Sequence, residues 1–458
     1  MPRRSRSCAR TTWRSWPHEA HDRRWRRVPG APGVRGRRQR RRAGPDRRAD
    51  AARRLAVAAR DGPGDRRADG RRGAPRPRVT ITTDLDEALR DADFVFSAVR
   101  IGGTGGRIVD ERTALGLGVI GQETVGPGGL AYGLRTVPFM TALAERIEEL
   151  APRAWVINFT NPAGIVTEAM QRVLGDRVVG ICDTPIGLMR RAAVAVGSSP
   201  DEVDFDYVGL NHLGWLRDLR VAGESVMPKL LRSDDALESI EEARLMGFDW
   251  VRTIRALPNE YLYYYYFNRE ATARITQAHT TRGEYIDDQQ ESFFAAPGED
   301  PYATWLETRH AREASYMAES RAEDEERNES DVDGGGYQTV ALDLMAALST
   351  GRRSTMILNV RNRGLVPQLP DDAVVEVGCV VDADGVHPWP IAPLEGEMLG
   401  LVTQVKAAER LVIEAATSGS RELAWRAFAA HPLVDSVDVA RTLLDEYARG
   451  FEELRHLR

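Results

Sequence analysis

The chain has 458 residues, 42% of them hydrophobic, with three cysteines and a formal net charge of −5. This length exceeds one hydrophobic core and predicts two domains or three. The three sparse cysteines argue against a disulfide framework and favour a cytoplasmic protein. No apolar run reaches the roughly 18 residues that a membrane-spanning helix needs, so we expect no membrane partner.

The net charge conceals an asymmetry between the first segment and the rest. Residues 1–78 contain 26 arginines, no lysine and 7 acidic residues, a charge of +19, whereas the remainder carries −24. Three interpretations are open: a basic arm that binds nucleic acid, an organellar targeting segment, or a GC-rich gene translated out of frame. The lack of lysine favours the third. We therefore expect residues 1–78 to be disordered or mistranslated, and nucleic acid is not expected as a partner.

From Val79 onwards, predicted strands alternate with predicted helices. Strands are predicted over Val79–Thr82, Phe94–Val99, Ala154–Phe159 and Val178–Cys182. The helices predicted between and after them are Leu85–Arg90, Thr136–Leu150, Ile165–Leu174 and Pro185–Val196. This alternation predicts βαβ units and a mostly parallel sheet. We expect a doubly wound, Rossmann-like nucleotide-binding domain over residues 79–197.

Residues 198–458 follow a looser pattern, which predicts a mixed α/β C-terminal domain. Strands are predicted over Phe205–Gly209, Leu358–Val360 and Val374–Val381, and helices over Glu395–Thr417 and Asp438–Phe451. Gly419 is predicted to end the first of these helices, and Asp438 to cap the start of the second. The acidic stretch Glu319–Asp333 is predicted to be a solvated helix or loop.

Glycines follow the strand Phe94–Val99 at high density, first in IGGTGG and then in GQETVGPGG. Glycine allows the backbone to approach a ligand closely, and ligands bind at strand ends in open α/β sheets. These segments therefore predict ligand-binding loops. The GxGxxG loop that opens a dinucleotide-binding fold is absent from residues 1–78, so the Rossmann-like domain is predicted to lack its first βαβ unit.

Cys182 and His212 each end an apolar strand, in VVGICDTPIG and YVGLNHLGW. A thiolate and an imidazole are suitable ligands for a borderline transition metal. A buried cysteine is more often a small apolar side chain. Two ligands are also too few for a closed structural site, so a metal here would need substrate or water as further ligands.

Other polar residues leave two interpretations open. Asn161 in NFTNPAG could bind a sugar hydroxyl or form an ordinary Asn-Pro turn. The tyrosines of LPNEYLYYYY, residues 257–266, could supply a base near a cation or form an aromatic packing patch. Arg100, Arg135 and Arg282 could bind phosphate or be solvated surface charges.

Together these segments resemble glycoside hydrolase family 4, the NAD- and metal-dependent glycosidases, and are closest to its 6-phospho-β-glucosidases. The matching segments are AVRIGG, GVIGQETVGPGGLAYGLRT, VINFTNPAGIVTEAM, GICDTPIG, VGLNHLGW, LPNEYLYYYY and ILNVRNRGLVPQLPDDAVVEV. The resemblance implies a Rossmann-like domain related to lactate and malate dehydrogenases, followed by a C-terminal α/β domain for substrate, metal and subunit contacts. It also implies NAD and Mn2+, or another divalent metal, and a homodimer or homotetramer.

The reaction implied by the resemblance is hydrolysis of 6-phospho-β-glucosides by redox-assisted elimination. NAD+ removes a hydride from sugar C3, and the metal polarises the resulting ketone. A tyrosine then removes the acidified C2 proton, and the glycosidic bond breaks by β-elimination. Water adds and the hydride returns. Most glycosidases instead use two carboxyl groups.

Individual roles are carried over by this resemblance alone. Cys182 and His212 would bind the metal, and Tyr264 best matches the base, with Tyr261 and Tyr265 as alternatives. The substrate would contact Asn161, Asp183, Asn211, Arg100 and Arg282, the two arginines being candidates for the sugar 6-phosphate. The cofactor would lie against Gly102, Gly103, Glu123 and Thr124.

Two residue positions and the first segment bear on the substrate and the cofactor. Asn259 stands where 6-phospho-α-glucosidases tend to have Asp, and no His follows Cys182, which favours the β-glucosidase group. Asp183 stands where that group often has Asn. It leaves open an α-galactosidase or glucuronidase that acts on unphosphorylated sugar. Because residues 1–78 replace the family's first strand and GGGS-type loop, a catalytically impaired homologue is a further alternative.

Overall fold

The computed structural model describes residues 79–321, 327–328 and 336–458. The predictions for residues 1–78, and for most of Glu319–Asp333, lie outside the described residues. The strands are β1 (Phe94–Ser97), β2 (Trp155–Asn158), β3 (Val178–Gly180), β4 (Val203–Leu210), β5 (Leu213–Val221), β6 (Glu224–Ser225), β7 (Leu257–Pro258), β8 (Ser354–Arg361), β9 (Val374–Asp382) and β10 (Gly385–Pro388).

The helices described are of α-type, with short 3₁₀ turns between some of them. The α-helices are α1 (Leu85–Leu89), α2 (Gly103–Gly116), α3 (Gly126–Leu150), α4 (Ala163–Leu174), α5 (Thr184–Ala195), α6 (Met227–Arg232), α7 (Asp234–Glu238), α8 (Glu241–Met246), α9 (Phe248–Ile254), α10 (Tyr263–Tyr266), α11 (Asn268–Gln277), α12 (Arg282–Ala295), α13 (Pro301–Ala314), α14 (Tyr337–Thr350), α15 (Gly396–Ser418), α16 (Arg421–Ala430) and α17 (Val437–Gly450). The 3₁₀ turns are Gly175–Arg177, Pro200–Glu202, Glu260–Leu262, Ala318–Ser320 and Glu452–Leu454.

The described strands form one ten-stranded sheet in the order β1-β2-β3-β8-β9-β4-β5-β6, with β10 beside β9 and β7 beside β5. β1, β2 and β3 are parallel, as the strand–helix alternation predicts. The antiparallel part joins this parallel part where Gly180 of β3 pairs with Asn359 of β8. Strands on both sides of the predicted boundary at residue 198 therefore belong to the same mixed sheet. The predicted α/β class is confirmed.

Helices cover both faces of the parallel strands because alternate strand residues point to opposite sides. Val156 of β2 packs in one apolar cluster with Met140 of α3 and Met170 of α4. Its neighbour Ile157 packs in another cluster with Ile186 of α5. The parallel strands are thus buried on both faces, which explains their nearly continuous apolar sequence.

The two glycine-rich segments both lead into helices. The prediction of a loop is wrong for most of IGGTGG, where α2 begins at Gly103, whereas residues 121–125 of GQETVGPGG do form a loop before α3. Gly102 precedes α2 with φ of 88°, and α3 starts at Gly126, ten residues before the predicted Thr136. A Cβ on Gly128 would lie 2.2 Å from the carbonyl oxygen of Gln122. Glycine is therefore needed at 128 for close packing within the chain.

Two further local predictions differ from the structure. Val79–Thr82 is not a strand, and in the described part of the chain the edge of β1 away from β2 carries no paired strand. The final helix is capped by Ser436, whose hydroxyl accepts a hydrogen bond from the Val439 amide, while Asp438 lies in the first turn. Gly419 does end α15, with φ of 72°, as predicted.

Candidate active site

A cavity of about 1410 Å³ opens at the carboxyl ends of the parallel strands. Each strand contributes lining residues shortly after its end: Ala98 and Val99 after β1, Phe159 and Asn161 after β2, and Asp183 and Thr184 after β3. Carboxyl ends of parallel strands meet at one sheet edge, where the loops diverge and leave a crevice. Further parts of the wall come from α2, α3, α5, residues 121–124, the β4–β5 turn, and segments between residues 260 and 338.

The loops after β1 and β2 are tied together by Thr160. Its Oγ1 accepts a hydrogen bond from the Val99 amide at 2.9 Å and lies 2.9 Å from Ser97 Oγ. The next residue, Asn161, lines the cavity, and its Oδ1 is buried without a hydrogen-bond partner among the described residues. Such an atom costs about 1–3 kcal/mol. It is therefore placed to accept a hydrogen bond from a ligand or to coordinate a cation.

His212 lies in the tight turn between β4 and β5, where Leu210 pairs with Leu213. Its φ of 64° is in the left-handed region, which non-glycine residues adopt rarely and often at functional sites. Its Nδ1 is 3.0 Å from Thr124 Oγ1, and its ring stacks on Tyr261. Burial lowers the pKa of His212 to about 3, so the imidazole is neutral, the form that binds metals.

Cys182 follows β3 and is buried, and it does not itself line the cavity, whereas its neighbour Asp183 does. Its Sγ lies 3.4 Å from Thr184 Oγ1. Burial raises the pKa of the thiol well above its usual range, and the carboxyl groups of Glu376 and Asp183 add to this. A bound cation would instead lower the pKa of the thiol, because a thiol that coordinates a metal ion is deprotonated.

The donors near this edge fit an exchangeable metal better than a closed structural site. Within the described ranges, no group of three or more His, Cys, Asp or Glu side chains could hold a metal ion. By the resemblance Cys182 and His212 would supply two donors, and the unpartnered Oδ1 of Asn161 could supply a third. Substrate or water would complete the coordination, as in catalytic metal sites.

Asn211, predicted to contact substrate, does not line the cavity. Its Nδ2 donates to Oε1 of Glu376 at 3.2 Å, and Asn359 donates to the same oxygen at 2.8 Å. The Tyr207 hydroxyl donates to the other oxygen of Glu376. Burial raises the pKa of Glu376 to about 7. This network supports the turn that presents His212.

Two of the three tyrosines predicted as bases, Tyr261 and Tyr264, line the cavity. Tyr265 does not, and its ring lies 6.1 Å from that of His431. The hydroxyl of Tyr264 donates to Glu319 Oε1 at 2.5 Å. Burial raises the pKa of both cavity tyrosines well above the ordinary range, so a nearby cation would be needed to ionise either one.

Arg100 lines the cavity but shares a carboxylate with Arg107. Their guanidinium groups lie 2.7 and 2.8 Å from the two oxygens of Glu123. Burial raises the pKa of Glu123, but the two arginines outweigh this effect and hold it at about 2. Thr124, beside it, carries the hydroxyl that contacts His212. Glu123 and Thr124, predicted as cofactor contacts, therefore lie in the cavity and position its charged groups.

Arg282, the first residue of α12, also lines the cavity but bonds only neutral oxygens among the described residues. Its guanidinium donates to the carbonyl oxygens of Arg312 and Ser315 and to Ser315 Oγ, at 2.6, 3.2 and 2.7 Å. Burial and the guanidinium groups of Arg107 and Arg312 lower the pKa of Arg282. Crowded positive charges at this end of the cavity suit an anion such as phosphate.

Gly102 and Gly103, predicted to lie against the cofactor, do not line the cavity. A Cβ on Gly102 would lie 3.2 Å from Nε of Arg135. Arg135 is buried and donates to Asp110 Oδ1 at 2.8 Å, so it is not a free phosphate ligand. Gly102 thus lies against the arginine of a buried ion pair.

A GxGxxG sequence does occur at residues 116–121, but it joins α2 to α3. A dinucleotide fingerprint follows a strand and opens a helix, so this segment is not one. The place where the resemblance would put the pyrophosphate loop is before Val79, outside the described residues.

Several cavity residues have no signal in the sequence. Arg107, Glu111, Arg312 and Tyr316 line the cavity from helices and turns far apart in the chain. Tyr316 donates to Glu260 Oε1 at 2.6 Å, and burial raises the pKa of Glu260 to about 8. Of these four residues, only Arg107 could have been suspected from the sequence, because it directly follows the glycine-rich segment IGGTGG.

Comparison with known proteins identifies the family. The family 4 glycosyl hydrolase profile matches residues 67–198, and the profile of the family 4 glycosyl hydrolase C-terminal domain matches residues 207–434. A probable 6-phospho-beta-glucosidase of Bacillus subtilis (strain 168) is 34% identical, over 80% of this chain and 81% of the relative. A maltose-6′-phosphate glucosidase of the same organism is 31% identical, over 82% and 83%. The chain therefore belongs to the family 4 glycoside hydrolases.

Solved structures agree with this assignment. The 6-phospho-beta glucosidase from Thermotoga maritima, crystallised with manganese, NAD+ and glucose-6-phosphate, is 29% identical with a TM-score of 0.68, over 83% of this chain and 85% of that one. A 6-phospho-alpha-glucosidase from gut microorganisms, in complex with NAD and Mn2+, is 28% identical with a TM-score of 0.66, over 81% and 83%. No helix in the described residues has the length and apolar character to cross a membrane.

Proposed function

We propose that this chain hydrolyses glycosides of glucose 6-phosphate, with a preference for the β-anomer, using NAD and a divalent metal such as Mn2+. The observation that carries the proposal is the content of one cavity. It combines the neutral imidazole of His212, Tyr261 stacked on that ring with Tyr264 nearby, and Arg282, whose described hydrogen bonds reach only neutral oxygens. The relatives that act on 6-phosphoglucosides support the substrate class.

Each side chain has a distinct task in this proposal. Arg282, with Arg312 beside it, binds the sugar 6-phosphate, and Arg100 is a second phosphate ligand with weaker support because Glu123 already neutralises it. The amide oxygen of Asn161 orients a sugar hydroxyl or a metal ion. Tyr264 removes the C2 proton, since its phenol lines the cavity, and a bound cation would be needed to ionise it because burial and Glu319 both raise its pKa.

Cys182 and His212 would hold the metal, which would serve as a Lewis acid, while the dinucleotide would serve as a two-electron oxidant. Neutral His212 needs no deprotonation to bind a cation. The hydrogen bond between Nδ1 and Thr124 sets the orientation of the ring. NAD binding by this chain is proposed from the family and its crystallised relatives, because the expected pyrophosphate loop lies outside the described residues.

The β-preference rests on Asn259 and on the residue after Cys182. The Asn259 side chain donates to Thr184 Oγ1 at 2.7 Å and accepts from the Tyr261 amide, so it links the β3 loop to the tyrosine segment. Relatives named for both anomers match this chain at similar identity. The anomeric preference therefore needs a direct assay.

The test is release of p-nitrophenol from the α- and β-glucosides, each with and without a 6-phosphate, in the presence of NAD+ and Mn2+. We expect turnover of the phosphorylated β-glucoside and loss of activity when EDTA is added or NAD+ is omitted. Preference for the phosphorylated α-glucoside would overturn the anomeric assignment alone. Turnover of only unphosphorylated sugars would replace the substrate class.

Asp183 is the observation that favours the second candidate, a family 4 enzyme for unphosphorylated sugars. Its carboxyl group lies on the cavity wall and would repel a nearby phosphate. An Asp183→Asn variant distinguishes the two. Improved KM for phosphorylated substrate would place the carboxyl group near the phosphate, whereas loss of an unphosphorylated-sugar activity would favour the second candidate. Calorimetric titration of the full chain with NAD+ tests the remaining alternative, an impaired homologue.

A further inference from the structure

Helix α13 presents large apolar side chains to solvent. None of its residues is buried, yet Tyr302, Trp305 and Leu306 are exposed by 65%, 41% and 40%. Positions separated by three and four residues share one face of a helix, so these three side chains form a single patch. Clustered exposed apolar groups of this kind mark binding surfaces more often than isolated ones do.

The patch is continuous with the proposed active site. All three side chains line the same cavity as His212, Tyr264 and Arg282. The rings of Tyr302 and Trp305 are 5.9 Å apart and inclined by only 23°, and the Arg309 guanidinium lies 5.8 Å from the Trp305 ring. The two aromatic faces are thus held nearly parallel at the cavity wall.

We propose that the Tyr302–Trp305 pair binds the aglycone, the leaving-group half of the glycoside, and that it selects planar, apolar aglycones such as aryl groups. Aromatic faces bind flat apolar groups by offset or edge-to-face stacking. Arg312, which lies beside Arg282, is on the same helix seven residues after Trp305, about 10 Å along the helix axis, so a phosphorylated sugar and an apolar aglycone would be bound at different points of one cavity wall. This inference rests on the proposed function, because it assigns one end of that substrate.

A second copy of the chain is the competing occupant, and the patch is poorly suited to it. A stable interface needs about 800 Å² from each partner and an apolar centre. The patch consists of three side chains, and the same helix carries the exposed Glu307, Arg309 and His310. Its continuity with the cavity instead matches a ligand of the size of one ring.

The experiment compares kcat/KM for p-nitrophenyl and methyl β-D-glucoside 6-phosphate in the full-length wild type, Trp305→Ala and Tyr302→Ala. Loss of one stacking surface is expected to lower kcat/KM for the aryl substrate by about tenfold and for the methyl substrate by less than about twofold. Trp305→Phe should retain most of the preference. Trp250→Ala is the matched control, since Trp250 is exposed by 36% and does not line this cavity.

Equal losses of kcat/KM for both substrates would overturn the aglycone assignment, as would no loss for either substrate. A change of oligomeric state in Trp305→Ala, measured by light scattering, together with unchanged ratios would make the patch a subunit contact instead. The proposed function and the aglycone assignment can be rejected independently of each other. An inactive wild type rejects the proposed function, whereas calorimetric binding of the same two glycosides still tests the aromatic patch.

Discussion

The imidazole of His212 lies flat against the phenol ring of Tyr261, with ring centroids 3.7 Å apart and planes within 6° of parallel. The strained turn between β4 and β5 positions His212, and the segment after β7 positions Tyr261. On its far side, the imidazole is held by Thr124 from the loop before α3. Three distant segments therefore fix the orientation of one proposed metal ligand.

Loss of a group that supports a metal ligand typically lowers metal affinity by about 10–100-fold. Replacing His212, a proposed ligand itself, with alanine should weaken Mn2+ binding by more than this. Thr124→Val removes only the hydroxyl beside Nδ1 and should fall within that smaller range. Isothermal titration with Mn2+ measures both. Equal Mn2+ affinity in wild type and His212→Ala would exclude His212 as a ligand.

Removal of the Tyr264 hydroxyl should lower kcat by about 10²–10⁴-fold, the usual contribution of a general base. We expect a smaller loss for Tyr261→Phe, because phenylalanine still stacks on His212. Tyr265→Phe is the control, since Tyr265 faces His431 outside the cavity lining. Solvent deuterium exchange at sugar C2 provides the specific readout. If exchange persists in Tyr264→Phe and disappears in Tyr261→Phe, the base is Tyr261.

Arg282→Ala should raise KM for phosphorylated substrates by about 10²-fold, which corresponds to the roughly 1.5–3 kcal/mol of a charged hydrogen bond. Arg282→Lys keeps the charge but not the forked donors and should recover only part of this loss. Arg100→Ala should have a smaller effect on KM, because Glu123 already pairs with Arg100. A larger effect at Arg100 than at Arg282 would reverse the phosphate assignment.

The buried His431 should make the protein less stable in acid. Burial lowers its pKa to about 3, below the value of about 6.5 in an unfolded chain. The unfolded state therefore gains a proton first as pH falls, so stability is highest above pH 6.5 and declines towards pH 3. His431→Asn removes this titration and keeps an acceptor for the Leu433 amide, which now donates to Nδ1.

Between pH 8 and pH 5, the free energy of unfolding of the wild type should fall by about 2 kcal/mol more than that of His431→Asn. Urea denaturation at the two pH values measures the difference. His212 is present in both proteins and burial lowers its pKa in both, so its contribution to the difference in unfolding free energy cancels. Parallel decreases in the two proteins would show that His431 is not the group that titrates.

Local sequence patterns were sufficient for most of the parallel half of the fold. The apolar runs at Phe94, Ala154 and Val178 predict β1, β2 and β3, and the predicted helices Ile165–Leu174 and Pro185–Val196 match α4 and α5 within two residues. The patterns misled where glycine serves packing. Gly102 and Gly128 suggested loops, but they lie at the starts of α2 and α3, where Gly102 has a φ of 88° and a Cβ on Gly128 would lie 2.2 Å from the carbonyl oxygen of Gln122.

The sequence by itself determined the α/β class, the family, and the set of strand-end residues from which a site could be built. Only the tertiary structure decided which of them share a cavity, because burial and ion pairing depend on segments far apart in the chain. It joined Asn161, His212, Tyr264 and Arg282, turned Tyr265 towards His431, and paired Arg100 with Glu123. No local periodicity records such contacts, since each results from packing between elements whose sequences are independent of one another.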